Sequence, residues 1–250
     1  MYHSLTFKRK YTTPYSKVVT KNTYDDLKLV PSSRPVISAP ALKEVYVDIP
    51  GANGSIDLSE VVSGCPVYQN REGDLEFVVL NGNYTGFASY DTWINRYTEI
   101  LNFLHGREIE MSLEDDPDYY YRGRFSVDEW ESTKDYSLLK IKYNLEPFKW
   151  ASKSSLETKP NLKDITVNSF DPGLTLHLTE DDTGIAPVIP TFVSNAAMTV
   201  ICQNSIGENV TKQIQNGRTT DQEIRFTGGD TKLTFKGSGV VSLDFYEGRL

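Results

Sequence analysis

Residues 89–125 read SYDTWINRYTEILNFLHGREIEMSLEDDPDYYYRGRF, and the fold is decided by how its apolar spacing changes along that run. Trp93, Tyr97, Ile100, Leu101 and Leu104 recur at helical intervals, so they line one stripe of a helix expected over about 91–105. Ser89 or Asp91 can accept hydrogen bonds from the first free N–H groups, and Gly106 suits the left-handed turn that ends the helix. Ile109, Met111 and Leu113 then alternate with Glu108, Glu110 and Ser112, the pattern of a strand with one buried face. Asp115, Asp116, Pro117 and Asp118 form an acidic turn, and the chain becomes extended again from Tyr119 to Phe125. One amphipathic helix therefore feeds a hairpin over about 108–125, and it packs on the sheet to which that hairpin belongs.

Outward from this stretch the reading is mainly β. Leu5 and Phe7, then Tyr15, Val18 and Val19, form a first hairpin broken by Pro14. Residues 20–40 are polar and hold Pro31, Pro35 and Pro40, which reads as a long arm. Leu42, Val45, Val47 and Ile49 resume a strand, turned by Pro50-Gly51 and Asn53-Gly54 into Ile56 and Leu58. Leu75–Leu80 and Leu138–Tyr143 are further strands, the latter ended by Leu145-Glu146-Pro147-Phe148. The stretch 152–160, rich in Ser and Lys, reads as a linker between a domain over 1–151 and a second over 161–250. The second domain lacks helical periodicity. Its short strands, punctuated by Gly173, Gly184, Gly207, Gly217, Gly228-Gly229 and Gly237, predict an antiparallel β-sandwich.

Net charge is −8, which argues against nucleic acid or an anionic membrane as the main partner. No apolar run reaches the roughly 18–20 residues that span a bilayer, and the start MYHSLTFKRKYTT lacks an apolar signal core. Cys65 and Cys202 are expected to be free thiols.

The ordered residues Val47-Asp48-Ile49-Pro50-Gly51, Gly54, Ile56-Asp57-Leu58, Gly64, Tyr68 and Arg71 precede the strand 75–80. Together with NFLHG and EIEMSLEDDPDYYYRGRF they resemble the phage distal tail protein family, whose members form the ring at the tip of long non-contractile tails. The Pro147-Phe148 step before the linker and the ending Ser242–Leu250 are similar to that family too. The likeness covers the first domain closely and the second loosely. It implies an N-terminal β-sandwich-like ring domain and a C-terminal galectin-like or carbohydrate-module-like β-sandwich. It also implies a structural virion protein, not an enzyme and without cofactor or metal, that forms a homohexameric ring at the virion tail tip. Such a ring is assembled in the bacterial host cytoplasm and joins the tail-tube protein to the tail-tip or receptor-binding apparatus. The contact regions expected from the chain are the arm (Pro31, Arg34), the turn (Pro50, Gly51, Gly54, Asp57) and the hairpin tip (Asp116, Pro117, Tyr119, Tyr120). The chain shows no inserted extra domain of the kind that makes some members receptor binders.

Chemical signatures are scarce. Neither a phosphate-cradling glycine loop nor a nucleophile elbow is present. His3, His105 and His177 lack zinc-site spacing, and His105 at a helix end is expected to satisfy free carbonyls. Asp115, Asp116 and Asp118, like Glu180-Asp181-Asp182, read as solvated turns in preference to cation sites. Asn53, Asn83 and Asn209 match a glycosylation pattern that is incidental without a secretion signal. A wall-degrading enzyme has no motif to support it. The alternative function is recognition of host cell-wall glycans through the C-terminal sandwich. Its aromatic candidates are Phe192, Phe226, Phe235, Phe245 and Tyr246, most of them at positions a core would use.

Overall fold

The structure is a computed structural model that describes residues 3–10, 17–51, 53–61, 63–80, 93–132, 136–203, 207 and 209–250. The expected helix caps Ser89 and Asp91 lie outside the described residues. The chain is mainly β, with antiparallel sheets. Two compact units emerge: residues 1–41 with 69–149, and residues 42–68 with 150–250.

The first unit is built on β1 (Leu5–Lys10), β2 (Val18–Asn22), β3 (Val30–Pro31), β6 (Arg71–Leu80), β7 (Arg107–Leu113), β8 (Asp116–Ser132) and β9 (Tyr136–Ala151). They lie in the order β2-β1-β7-β8-β9-β6-β3. Alternation places Leu5, Phe7, Ile109, Met111, Phe125, Leu139, Ile141, Leu75 and Phe77 in one buried layer. Helix α1 (Trp93–Leu104) adds Ile100, Phe103 and Leu104 to that layer, as its apolar stripe requires. Phe7 and Phe125 meet edge to face at 5.2 Å. Two elements differ from expectation. Strand β9 does not end at Pro147 but continues to Ala151. The arm is not wholly polar in role, because Leu27 and Leu29 are fully buried. Lys28 between them takes a positive φ of 55°, and Asn22 Oδ1 accepts from the N–H groups of Tyr24 and Asp25 to make the turn.

In the second unit β10 (Ile165–Leu178), β11 (Thr191–Ser194), β12 (Met198–Gln203), β13 (Asn209–Ile214), β14 (Gly217–Thr220) and β15 (Thr231–Asp244) form a sheet ordered β13-β12-β15-β11-β14, with β10 on β15. Strands expected at 232–236 and 240–246 are one. β15 pairs β12 through Lys236 and β11 from Val241 onward, while β10 pairs it before, along and after Gly237-Ser238-Gly239. Leu174–Leu178 likewise joins the strand before it across a bulge after Ser169. Residues 223–227 contribute only a bridge, Phe226 to Val188. Phe192, Phe226, Phe235 and Phe245 are buried, packed as two edge-to-face pairs at 6.0 and 5.4 Å. The segment expected as a linker carries α2 (Ser155–Thr158), and buried Ser155 Oγ donates to Leu243 O at 2.8 Å. Glu180-Asp181-Asp182 opens α3 (Glu180–Thr183), where Thr179 and Asp182 form a reciprocal capping box.

Strands β8 and β9 approach closely at Gly123. A Cβ there lies 2.2 Å from Asn144 O and 2.6 Å from Leu145 Cα, and both are backbone atoms that cannot swing away. Gly123→Ala is expected to lower stability by about 1–3 kcal/mol through overpacking. Urea unfolding measures it, and an unchanged midpoint contradicts this close approach.

Candidate functional site

The residues expected to make contacts fall into two described groups. In the first unit, the arm and the hairpin tip converge. Pro31 pairs with Phe77 at the sheet edge. Arg34 Nε donates to Asp115 Oδ2 at 2.9 Å, and His3 Nδ1 lies 3.0 Å from the same oxygen. His3 first, and then Arg34, hold the Asp115 carboxyl below its usual range. Asp116 pairs with Lys149 at 2.7 Å, and Lys149 Nζ sits 4.8 Å over the Tyr119 ring. Pro117 follows Asp116 at the start of β8, where a strand tolerates proline. Tyr120 and Tyr121 point to opposite sides, as alternation requires. Tyr120 Oη accepts from Arg122 at 3.1 Å, and Tyr121 is buried. The tip aspartates Asp115 and Asp116 are thus engaged by cationic side chains. Among the described residues, no group of three or more His, Cys, Asp and Glu is arranged to hold a metal ion.

The turn 50–57 belongs to the second unit, in a hairpin of β4 (Tyr46–Asp48) and β5 (Ser55–Asp57). The ladder runs from Tyr46↔Asp57 to Asp48↔Ser55, so residues 49–54 form the loop in place of a two-residue Asn-Gly turn. Pro50 has no N–H to extend the ladder, and Gly51 and Gly54 take φ of 85° and 80°. Asp57 braces the backbone as expected. Ser59 N–H donates to Asp57 Oδ1 at 2.9 Å, and the hydrogen bonds of Ser59 lower the Asp57 pKa.

The register gives this hairpin two unlike faces. Val47 lies opposite Ile56, and Leu58 N–H reaches Val45 O at 2.8 Å. Val45, Val47, Ile56 and Leu58 therefore share one aliphatic face. The other carries Tyr46, Asp48, Ser55 and Asp57, with Ser55 Oγ donating to Asp48 at 2.6 Å. Yet the aliphatic face is exposed, by 52% at Val45, 45% at Val47, 47% at Ile56 and 38% at Leu58. Exposed aliphatics gathered on one side are what an interaction surface offers.

Sequence reasoning missed three features. Glu110 was expected on a solvent face but is 7% exposed, because Lys8, Lys10 and Arg122 from the flanking strands close over it. The alternation of Lys8 with Lys10 and the nearby Arg122 carried that signal. Helix α1 ends not on His105 but on Arg9, whose Nη1 donates to Asn102 O and Phe103 O, while His105 Nδ1 accepts from Val127 N–H. The third is a cavity of about 580 Å³ in the second unit, lined by the polar side chains of His177, Thr179, Gln203, Asp230 and Lys232. The expected free thiols are both free, and burial pushes Cys202 up to about 11.

No family model matches the chain, and no curated protein matches its sequence. A solved structure does match. The crystal structure of the Dit (gp 19.1) protein of SPP1, described as a paradigm of the hub adsorption apparatus in Gram-positive-infecting phages, superposes with a TM-score of 0.56 at 16% identity. The match covers 90% of this chain and 96% of the SPP1 protein. The chain shares the fold of a phage hub protein. That fold spans both units, including the second, where the sequence likeness was loose.

The Glu110 cluster makes a pH prediction. Burial pushes the Glu110 carboxyl up, but Lys10, Lys8 and Arg122 outweigh it and hold the carboxyl below its ordinary value of 4.5. The unfolded chain then takes up the proton first on acidification, so this contribution is present above pH 4.5 and lost as pH falls through the lowered value. Glu110→Gln is expected to cost about 1–2 kcal/mol at neutral pH, given how exposed Lys8 and Lys10 are. Denaturant titrations at several pH values test this. A difference that survives acidification counts against the cluster.

Proposed function

We propose that this chain is a structural protein of a phage tail tip, a distal tail component whose copies close into a hexameric ring. The observation that carries the reading is the shared fold with the SPP1 hub protein over nearly the whole of both chains. The ordered turn, helix and acidic hairpin of residues 47–125 support it independently. In this reading the ring sits at the virion tail tip after assembly in the host cytoplasm. It docks on the tail-tube protein on one side and on the tail-tip or receptor-binding apparatus on the other. No catalysis, cofactor or metal is invoked.

A ring of identical copies needs two different complementary surfaces on each. The hairpin 45–58, with its loop residues Pro50, Gly51 and Gly54 and its brace Asp57, is proposed as one of them. It offers an aliphatic face to a neighbouring copy and a polar face to water. Burying the exposed half of Val45, Val47, Ile56 and Leu58 contributes on the order of 3–5 kcal/mol per contact. The arm and tip (Pro31, Arg34, Asp116, Pro117, Tyr119, Tyr120) are proposed as partner contacts.

A second reading, recognition of host cell-wall glycans, draws support from the cavity lined in part by His177, Gln203, Asp230 and Lys232. The phenylalanines that sugar stacking would use are in the core. Specific binding in calorimetric titrations of the full chain with wall glycans would favour it.

Light scattering behind size exclusion, with negative-stain images, tests the ring. The expected result is a concentration-dependent rise toward six copies with a central hole. Val47→Asp combined with Ile56→Asp is expected to abolish association with an unchanged melting temperature, since both side chains are about half exposed. A double variant that still forms rings removes the hairpin from the contact.

A further inference from the structure

Arg71 is 4% exposed and has no carboxylate among its described partners. Its Nε donates to Pro147 O at 2.8 Å and its Nη1 to Ser38 O at 2.8 Å, while its guanidinium lies 5.5 Å over the Tyr121 ring. Its Nη2 is buried and meets no acceptor among the described residues. An arginine is always protonated, and burying it against neutral carbonyls is costly. An apolar residue would fill the same space without that cost, so the fork geometry is what the position uses.

That geometry gathers the ends of the exposed hairpin. Ser38 is three residues before Ala41, and Arg71 is two residues after Gln69. Ala41 and Gln69 are themselves joined, Gln69 N–H donating to Ala41 O at 2.7 Å, and Lys43 N–H reaches Val67 O at 2.7 Å. Ser38 is held a second time. Its N–H donates to Tyr143 Oη at 3.2 Å, and its Oγ donates to Glu72 O at 2.9 Å. Gly73 makes room for this, since a Cβ there would lie 2.4 Å from Tyr143 Oη. Ile37, next to Ser38, packs on the core of the first unit.

We propose that Arg71, seconded by Tyr143, is a positioning residue that clamps the two chain ends from which the hairpin 42–68 departs. The clamp limits the freedom that the hairpin loses when its aliphatic face is covered, which strengthens association without adding a contact. Its value for assembly rests on the ring reading above. Its existence does not.

Hydrogen exchange on the full chain, at a concentration where it is monomeric, separates the two. In Arg71→Lys the ammonium cannot span both carbonyls. In Tyr143→Phe the ring stays and only the hydroxyl is lost. Each is expected to accelerate exchange at the amides of Ser38, Lys43 and Gln69 by about tenfold or more, as loss of a hydrogen bond to a charged or buried group does. The amides of Leu139 and Ile141, in the β6–β9 ladder, keep their protection. If Arg71→Lys fails to fold, Tyr143→Phe decides alone. Unchanged exchange at Lys43 and Gln69, or an equal loss at Leu139 and Ile141, overturns the clamp. A localised loss in a protein that never forms rings supports the clamp and removes the ring reading.

Discussion

One face of the first unit's sheet is apolar along every long strand, and covering that face is the constraint on which the rest of the unit depends. Helix α1 covers part of it with Ile100, Phe103 and Leu104, and the arm covers more with Leu27, Leu29 and the half-buried Ile37. Phe7 and Phe125, in edge contact at 5.2 Å, lie in that layer. Once the inner face is spent this way, alternation leaves the outer face to charges. Lys8 and Lys10 on β1 face Glu110 on β7, which faces Arg122 on β8, which in turn reaches Glu146 on β9 at 3.9 Å. Along this row neighbouring strands thus carry opposite signs, and ion pairs between them hold the face.

How much of this was legible depended on whether local spacing carried the signal. The helix was legible from Trp93 to Leu104 because its stripe repeats at helical intervals, and the hairpin 107–125 because period two is unambiguous beside it. The second unit's strands were mostly legible in position and less so in number and length, since two expected pairs are single strands, 223–227 gives only a bridge and β14 was not expected. Gly237 and the Asp171-Pro172-Gly173 step look like breaks, yet ladders to β10 and β15 carry the strands through, and that pairing partner is distant in sequence. Leu27 and Leu29 were hidden for a different reason. They are two apolar residues in a polar arm, with no periodic neighbours to mark them as buried, and Lys28 between them sits in the left-handed region.

The candidate surfaces were legible as turns and illegible as surfaces. Pro50, Gly51 and Gly54 announce a reversal, but the amphipathic character of the hairpin requires knowing that Val47 faces Ile56. Registers of Asn-Gly hairpins usually follow a two-residue turn. That centre would pair Ala52 with Ser55 and shift the partner of every residue on β4. Proline at position 50 and the longer loop prevent it. Arg71 was visible in the motif that leads into β6, at whose first position it stands, while its task depends on Ser38 and Pro147, which lie 33 and 76 residues away.

A two-stranded hairpin has no second layer, and such ribbons are at best marginally stable alone in water. Here the ladder is only three pairs long, and the side-chain bonds on the polar face, Ser55 to Asp48 and Ser59 to Asp57, are exposed and correspondingly weak. The shape of the ribbon therefore depends on its fixed ends and on whatever covers Val45, Val47, Ile56 and Leu58. Two copies meeting aliphatic face to aliphatic face would satisfy both hairpins at once and stop at a pair. A hairpin laid on a different surface of its neighbour leaves that neighbour's own hairpin free to continue, which is the arrangement a closed ring needs. In the proposed ring, Tyr46, Asp48 and Asp57 would decide which way up the ribbon lies, because the two carboxylates would stay solvated only if the aliphatic side were the one that faces protein.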